Sequence, residues 1–427
     1  MDVLKKEKLE RLLRYGLVLA IVFCCVLLLP QVRNLIIEIG EKILGRGLNH
    51  EHWMKRIFMY SLYAIYFFSF FLFFFIFNIL PTYLKKHIQS ALEKYEKKIF
   101  IIISIGIVIM SVIVRIIMFI KCRSLWGDEA ALAASIVSRN WFELLVPPLN
   151  GNQSAPVLYV IVLKLFGSVL GYSEFSLKLF SLLTFFGLLI CELILLKKAF
   201  NFDSFKTAFI VVMTAVLPLY IWYSNELKPY MSDVFFVVLT ILLYFLYIKK
   251  VINLLALTVL CILVFGFSTP AIFFIGGMLF SEFLVAIFSK NKKQVLYVAI
   301  SGTVILTVFG LYYYWWHLPV AEGMKTWWIN WHNERGIVIE LIELFSGFGW
   351  INTDAMYVWI FVPVAILGIY SLIICKNKIG YMVALSLFFA FFASSIGKYP
   401  LLIGYGYFYP QLFLSLFQTD LTLLIVK

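Results

Sequence analysis

An aspartate and a glutamate stand side by side in Ser124-Leu125-Trp126-Gly127-Asp128-Glu129-Ala130-Ala131, directly after an apolar run that ends near Ile120. Two readings of this pair are open. Asp128 can be the N-cap and Glu129 the first-turn acid of a surface helix over Ala130 to Val137, because a helix amino end favours negative charge. Alternatively, the same carboxylate, held rigidly at a membrane–water boundary, can accept a proton from a bound hydroxyl as a general base. Trp126 beside it offers an apolar wall, a platform for a sugar ring, or an interface anchor. A second charged turn is Asn225-Glu226-Leu227-Lys228-Pro229-Tyr230. Glu226 and Lys228 sit there where the chain turns back into an apolar run. Charge at such depth is uncommon and often functional, although Pro229 also suits a plain turn into the next helix.

Further cations have the chemistry to hold a phosphate: Lys325, His332 and Arg335 in one stretch, and Lys398 in Ser395-Ile396-Gly397-Lys398-Tyr399-Pro400. Each can equally touch an anionic lipid headgroup. Glu340 and Glu343 share a helix face but make a weak catalytic pair. The chain has no phosphate-cradling glycine loop and no G-x-G-x-x-G. Its cysteines, Cys24, Cys25, Cys122, Cys191, Cys261 and Cys375, lie in or beside apolar runs without metal spacing, and read as small hydrophobes. No metal site is expected.

The elements that carry these residues are membrane helices. Hydrophobic residues make up 63% of the 427, against 14% charged. A soluble domain has about 45–50% apolar residues, and a span needs about 20 in succession. The net charge of +13 falls in short loops, as the positive-inside rule asks, and does not point to nucleic acid. The hydropathy pattern predicts an all-α polytopic protein of about twelve spans: 12–29, 57–80, 99–120, 177–196, 206–223, 230–248, 251–267, 270–288, 295–316, 355–374, 379–396 and 408–426. The first run, Leu12 to Leu29, is long enough to remain as a span rather than a cleaved signal. Lysine-rich segments at the N-terminus, 85–98, 197–206, 249–250, 290–293 and 376–378 then all face the cytoplasm. This holds if 156–166 is a short helix on the outer interface. At about 16 Å it is too short for a roughly 30 Å hydrocarbon core. Residues 30–56 fall outside and read as an interfacial amphipathic stretch. Two long external loops follow, 121–176 and 317–354. The second carries Trp327, Trp328, Trp331 and Trp350, which suit the headgroup level.

The order of motifs resembles the integral-membrane glycosyltransferases of the GT-C class. The protein O-mannosyltransferases and the bacterial aminoarabinose transferases of lipid A are the nearest in pattern. The similar stretches are Leu125-Trp126-Gly127-Asp128-Glu129-Ala130, then Gln153-Ser154-Ala155-Pro156-Val157-Leu158-Tyr159, then Gly171-Tyr172-Ser173-Glu174-Phe175-Ser176-Leu177-Lys178. Lys178 stands where the family pattern has arginine. A family E-x-R-x-Y stretch is met by Glu226, Lys228 and Tyr230, again with lysine for arginine. Near Tyr409-Pro410-Gln411 the family's arginine is missing, and Lys398 is the nearest cation. The resemblance covers roughly 99–427. It leaves 1–98 as an N-terminal extension with two spans, and the sequence ends directly after the last expected span.

The resemblance implies a GT-C fold and an inverting sugar transfer. The donor would be a polyprenyl-phosphate sugar in the membrane. The acceptor would be a hydroxyl of a glycan, lipid or protein on the outer side of the plasma membrane. It implies Asp128 as base, with Glu129 and Glu226 as further catalytic acids. Lys228, Lys325, His332, Arg335 and Lys398 would bind the donor phosphate, and Trp126, Pro156, Tyr159 and Tyr230 would line the substrate. No cofactor is expected, and with one clear Asp-Glu pair and no histidine cluster the reading favours metal independence without excluding a divalent ion. The rival class is a polytopic transporter or flippase for a lipid-linked sugar or small solute, which would explain many spans without catalysis.

Overall fold

The computed structural model describes residues 82–323, with the backbone alone for 82–97, residues 378–395, and the single positions Val32, Asn34, Leu35 and Glu38. The chain divides into two compact units, Met1–Lys97 and Lys98–Lys427. Every regular element among the described residues is helical. Five helical stretches are long and apolar enough to cross a membrane: Lys98–Lys121, Glu174–Ala199, Tyr230–Ile248, Ala271–Phe288 and Lys292–Gly323. The protein is thus an all-α chain with membrane-spanning character. The expected spans at 12–29, 57–80, 355–374 and 408–426 lie outside the described residues.

In chain order the helices are α1 (Thr82–Lys121), α2 (Gly127–Ser138), α3 (Val157–Leu170) and α4 (Glu174–Ile194, with a wider π-type turn over Leu195–Ala199). These are followed by α5 (Ser204–Val216), α6 (Pro218–Tyr223), α7 (Tyr230–Ile248) and α8 (Leu254–Phe267). The remainder are α9 (Ala271–Phe288), α10 (Lys292–Tyr312, with a π-type turn over Tyr313–His317), α11 (Leu318–Gly323) and α12 (Lys378–Ser395). Side-chain caps open several of them. Asp203, Asn253 and Asn291 accept from the N–H groups of Lys206, Ala256 and Gln294 at 2.7, 2.8 and 3.1 Å. Each satisfies one of the donors a helix start leaves free.

Three expectations change. The lysine-rich stretch 85–98 is not a loop but the first half of α1, which runs unbroken from Thr82 to Lys121. Lysine and glutamate are good helix formers and add no break signal. The expected span 206–223 is two helices, α5 and α6, with Leu217 in an extended conformation (φ −60°, ψ 118°) before Pro218. Proline lacks the N–H that would continue α5 and pushes its predecessor out of the helical region. The expected span 251–267 is the shorter α8, about 21 Å long at roughly 1.5 Å per residue, and it belongs with the shorter apolar helices. The short helix predicted at 156–166 is α3, with Pro156 preceding its first residue.

α7 is the most enclosed of the five long stretches, and Lys98–Lys121 is the least, with Ile102, Ile103 and Ile120 exposed. Small residues set the close approaches. At Gly277 of α9 an added β carbon would lie 2.5 Å from the Met382 carbonyl oxygen and 2.8 Å from the Ser386 nitrogen of α12. Without a hydrophobic drive between spans, backbone proximity of this kind is what packs them. Across the top of α3, three hydrogen bonds join the α2–α3 connection to α10 and α11. Asn152 Nδ2 donates to the Val320 carbonyl at 3.2 Å, the Trp316 indole to the Ala155 carbonyl at 2.8 Å, and the Val157 N–H to the Tyr312 hydroxyl at 3.2 Å.

Candidate functional site

The site is built where three pieces of chain meet: the segment 122–129, the α2–α3 connection, and the turn 224–229 between α6 and α7. The turn is buried throughout, so its peptide groups need partners inside the protein. The Glu226 carbonyl accepts from Ser181 Oγ at 2.7 Å, and the Leu227 N–H donates to Glu129 Oε1 at 2.5 Å. Glu129 is fully buried. Its other oxygen accepts from the Trp126 N–H at 3.2 Å and pairs with Arg123 Nη1 at 2.8 Å. Both oxygens of Glu129 are therefore used to fix the backbone. It is the third residue of α2, which places its carboxylate over the helix amino end.

The helix starts two residues earlier than the N-cap reading of Asp128 requires: Trp126 is the N-cap and Asp128 lies in the first turn. Asp128 points the other way from Glu129. Its side chain is 48% exposed, and its Oδ2 lies 3.2 Å from Lys228 Nζ, whose side chain is 10% exposed. Gln153 bridges the two. Its Nε2 donates to Asp128 Oδ1 at 3.3 Å, and its Oε1 accepts from Lys228 Nζ. Lys228 Nζ also lies 5.8 Å from the centre of the Trp126 ring. A carboxylate oxygen can accept more than one bond, so Asp128 keeps acceptor capacity on its open side.

Glu226 is buried. Its Oε1 accepts from the Trp126 indole at 2.9 Å and lies 3.5 Å from Arg123 Nη2. Burial, and next the charge of Glu129, push the Glu226 carboxyl above its ordinary range, against the pull of Trp126, Arg123 and Trp222. Burial pulls the Lys228 ammonium below its ordinary range, and the opposing charge of Asp128 recovers only part of that. Arg123, 31% exposed, ties the two buried acids together and stacks over Trp222 at 4.8 Å. Lys178 is buried and donates to the Arg123 carbonyl at 2.5 Å, with Glu174 4.0 Å away.

The structure thus brings Trp126, Asp128, Glu129, Glu226 and Lys228 into one cluster. Tyr159 is fully buried behind it, its hydroxyl 3.4 Å from Ser181 Oγ, so it supports the 224–229 turn and presents no face to a ligand. Pro156 is buried at the start of α3, and Tyr230 opens α7 with its ring 4.8 Å from that of Tyr223. Lys325, His332, Arg335 and Lys398 lie outside the described residues. Arg123, Gln153, Lys178 and Trp222 were not among the sequence-predicted site residues. For Arg123 the available signal was its place between the end of a span and the acidic pair. Among the described residues, no three His, Cys, Asp or Glu side chains converge as metal ligands would. Comparison of the chain with protein-family models, with curated proteins and with solved structures finds no match.

Proposed function

We propose that this protein is an inverting glycosyltransferase of the GT-C type, with about twelve spans and its site on the outer side of the plasma membrane. The observation that supports this reading best is the division of labour among the three acids. Glu129 is buried with its oxygens on the Trp126 and Leu227 N–H groups, and Glu226 is buried against the Trp126 indole and the Arg123 side chain, whereas Asp128 is half exposed, oriented by Lys228 and Gln153, and open on one side. That is the arrangement a general base requires: a fixed carboxylate with free acceptor capacity at a water boundary.

In this reading an acceptor hydroxyl, on a glycan, lipid or protein, lies against the open oxygen of Asp128. Its oxygen attacks the anomeric carbon of a polyprenyl-phosphate sugar as Asp128 takes its proton. The bond from the anomeric carbon to the phosphate oxygen breaks, and the electron pair leaves on the polyprenyl phosphate. A single displacement inverts the anomeric centre. The leaving group is already an anion, so nearby cations matter more to it than an acid. Lys228 and Arg123 are the cations of the cluster. The expected site residues 325, 332, 335 and 398 would add to them.

The test uses the full chain reconstituted in lipid with a synthetic polyprenyl-phosphate sugar and an acceptor mixture. Asp128→Asn keeps the size and one of the two acceptor contacts, to Lys228 or to Gln153, but removes the base, and turnover should fall by at least about a hundredfold. Turnover near that of the unaltered protein would reject Asp128 as the base. Solute passage without any sugar transfer would replace the reading with a transporter.

A further inference from the structure

Asp233 lies in the first turn of α7 and is 3% exposed. Among the described residues, neither of its carboxylate oxygens has a hydrogen-bond partner, and none of the ion pairs includes it. Its first turn packs on the end of α8, where the Phe236 and Phe267 rings stack at 4.6 Å. The Ser268 hydroxyl, fully buried, faces this carboxyl without closing a bond of normal geometry to it.

The end of α8 adds more negative character. The Ser268 N–H closes the last turn on the Val264 carbonyl at 3.0 Å, and the backbone then turns extended (φ −148°, ψ 113°). The residue that would donate to the Gly266 carbonyl is Pro270, which has no N–H. A helix carboxyl end carries roughly half a negative charge. A carboxylate, a hydroxyl with free lone pairs and a carbonyl-bearing helix end therefore meet in a buried place. Among the described residues, the titratable groups that feel the Asp233 charge are Tyr159, Tyr230 and Tyr312, none of them cationic. An isolated buried carboxylate is costly unless it is paired.

We propose that Asp233, the Ser268 hydroxyl and the carbonyl end of α8 form a binding site for a monovalent alkali cation. The ligands are hard oxygens, and one carboxylate balances one positive charge. Broken helices that present carbonyl ends beside an acid are known places for such ions in membranes. The ion ties the start of α7 to the end of α8. Lys228 and Tyr230 lie five and three residues before Asp233 in the chain, so occupancy also steadies the turn that carries Lys228. The site is separate from the Asp128 cluster, and its test does not require sugar transfer.

The full chain in lipid nanodiscs is heated in buffers where sodium replaces N-methylglucamine at constant ionic strength. The unfolding midpoint should rise saturably with sodium. Asp233→Asn should abolish that rise, and Ser268→Ala should move the half-saturating sodium concentration up by roughly tenfold, the loss of one ligand to a charged group. Equal midpoints in the two cations overturn the site, as does a sodium response retained by Asp233→Asn. Should that variant not fold, an unshifted sodium response in Ser268→Ala overturns it.

Discussion

Replacing Glu129 by glutamine separates the acid that holds the site from the acid that faces it. The glutamate accepts from the Leu227 N–H at 2.5 Å on one oxygen, and from the Trp126 N–H at 3.2 Å and Arg123 at 2.8 Å on the other. A carboxamide has one acceptor oxygen and one amino group. Whichever way it turns, its amino group opposes a donor, either Leu227 or the Trp126–Arg123 side. An orphaned buried donor costs about 1–3 kcal/mol. The lost charge pairing adds about 1 kcal/mol at most, because Arg123 is a third exposed and water screens it. The sum is about 1–4 kcal/mol, a large part of the roughly 5–15 kcal/mol that holds a typical domain. Asp128→Asn breaks an ion pair whose acid is half exposed, and should cost about 1 kcal/mol or less. Denaturant or thermal titration of both variants in the same nanodiscs measures the difference. Equal stability of the two, or a Glu129→Gln protein as stable as the parent, would refute the assignment of Glu129 as the structural acid.

Glu226→Gln should remove a pH slope. The folded protein holds the Glu226 proton to higher pH than the unfolded chain does, so stability is lost as pH rises from the ordinary glutamate range through the raised folded value. The glutamine variant should be flat there in a titration of stability against pH. Lys228 has the opposite sign: its folded form releases the proton earlier, so stability is gained as pH rises from the lowered folded value to the ordinary lysine range. Lys228→Met should abolish that gain in the same titration. Gly277→Ala should cost about 1–3 kcal/mol by overpacking α9 against the α12 backbone, read as a lower thermal midpoint. A value unchanged from the parent would mean the two helices approach less closely than the structure has them. Gly151 has φ +63° and only 2.9 Å between an added β carbon and that of Ala131. Gly151→Ala should therefore displace Gln153 and lower turnover more than stability, measured as the ratio of the two losses.

Spans were legible where an apolar run had no interruption, as for 99–120, 230–248 and 270–288. Pro218 was visible in the run 206–223, yet hydropathy averages over it, and only the missing N–H explains the break. The split role of Asp128 and Glu129 was not legible. Consecutive helical residues point about 100° apart, so the two acids can face different surroundings, but the sequence does not say which way the helix is rolled. The meeting of Lys228 with Asp128 could be expected from a shared side of the membrane. Gln153 could not, because its contacts depend on how α3 and the 224–229 turn pack and not on any spacing along the chain, and for Arg123 only its place before the acidic pair was visible.

Gln153 sits between Asn152 and Ala155, whose polar groups are held by Val320 and Trp316 at the end of α10 and in α11. The amide that orients Asp128 is therefore mounted on a beam belonging to another helix. A displacement of the α10 end would act on both mounts and on the amide between them. The support of the Asp128 carboxylate therefore runs through the start of α3 to α10 and α11, and not through the acidic loop alone.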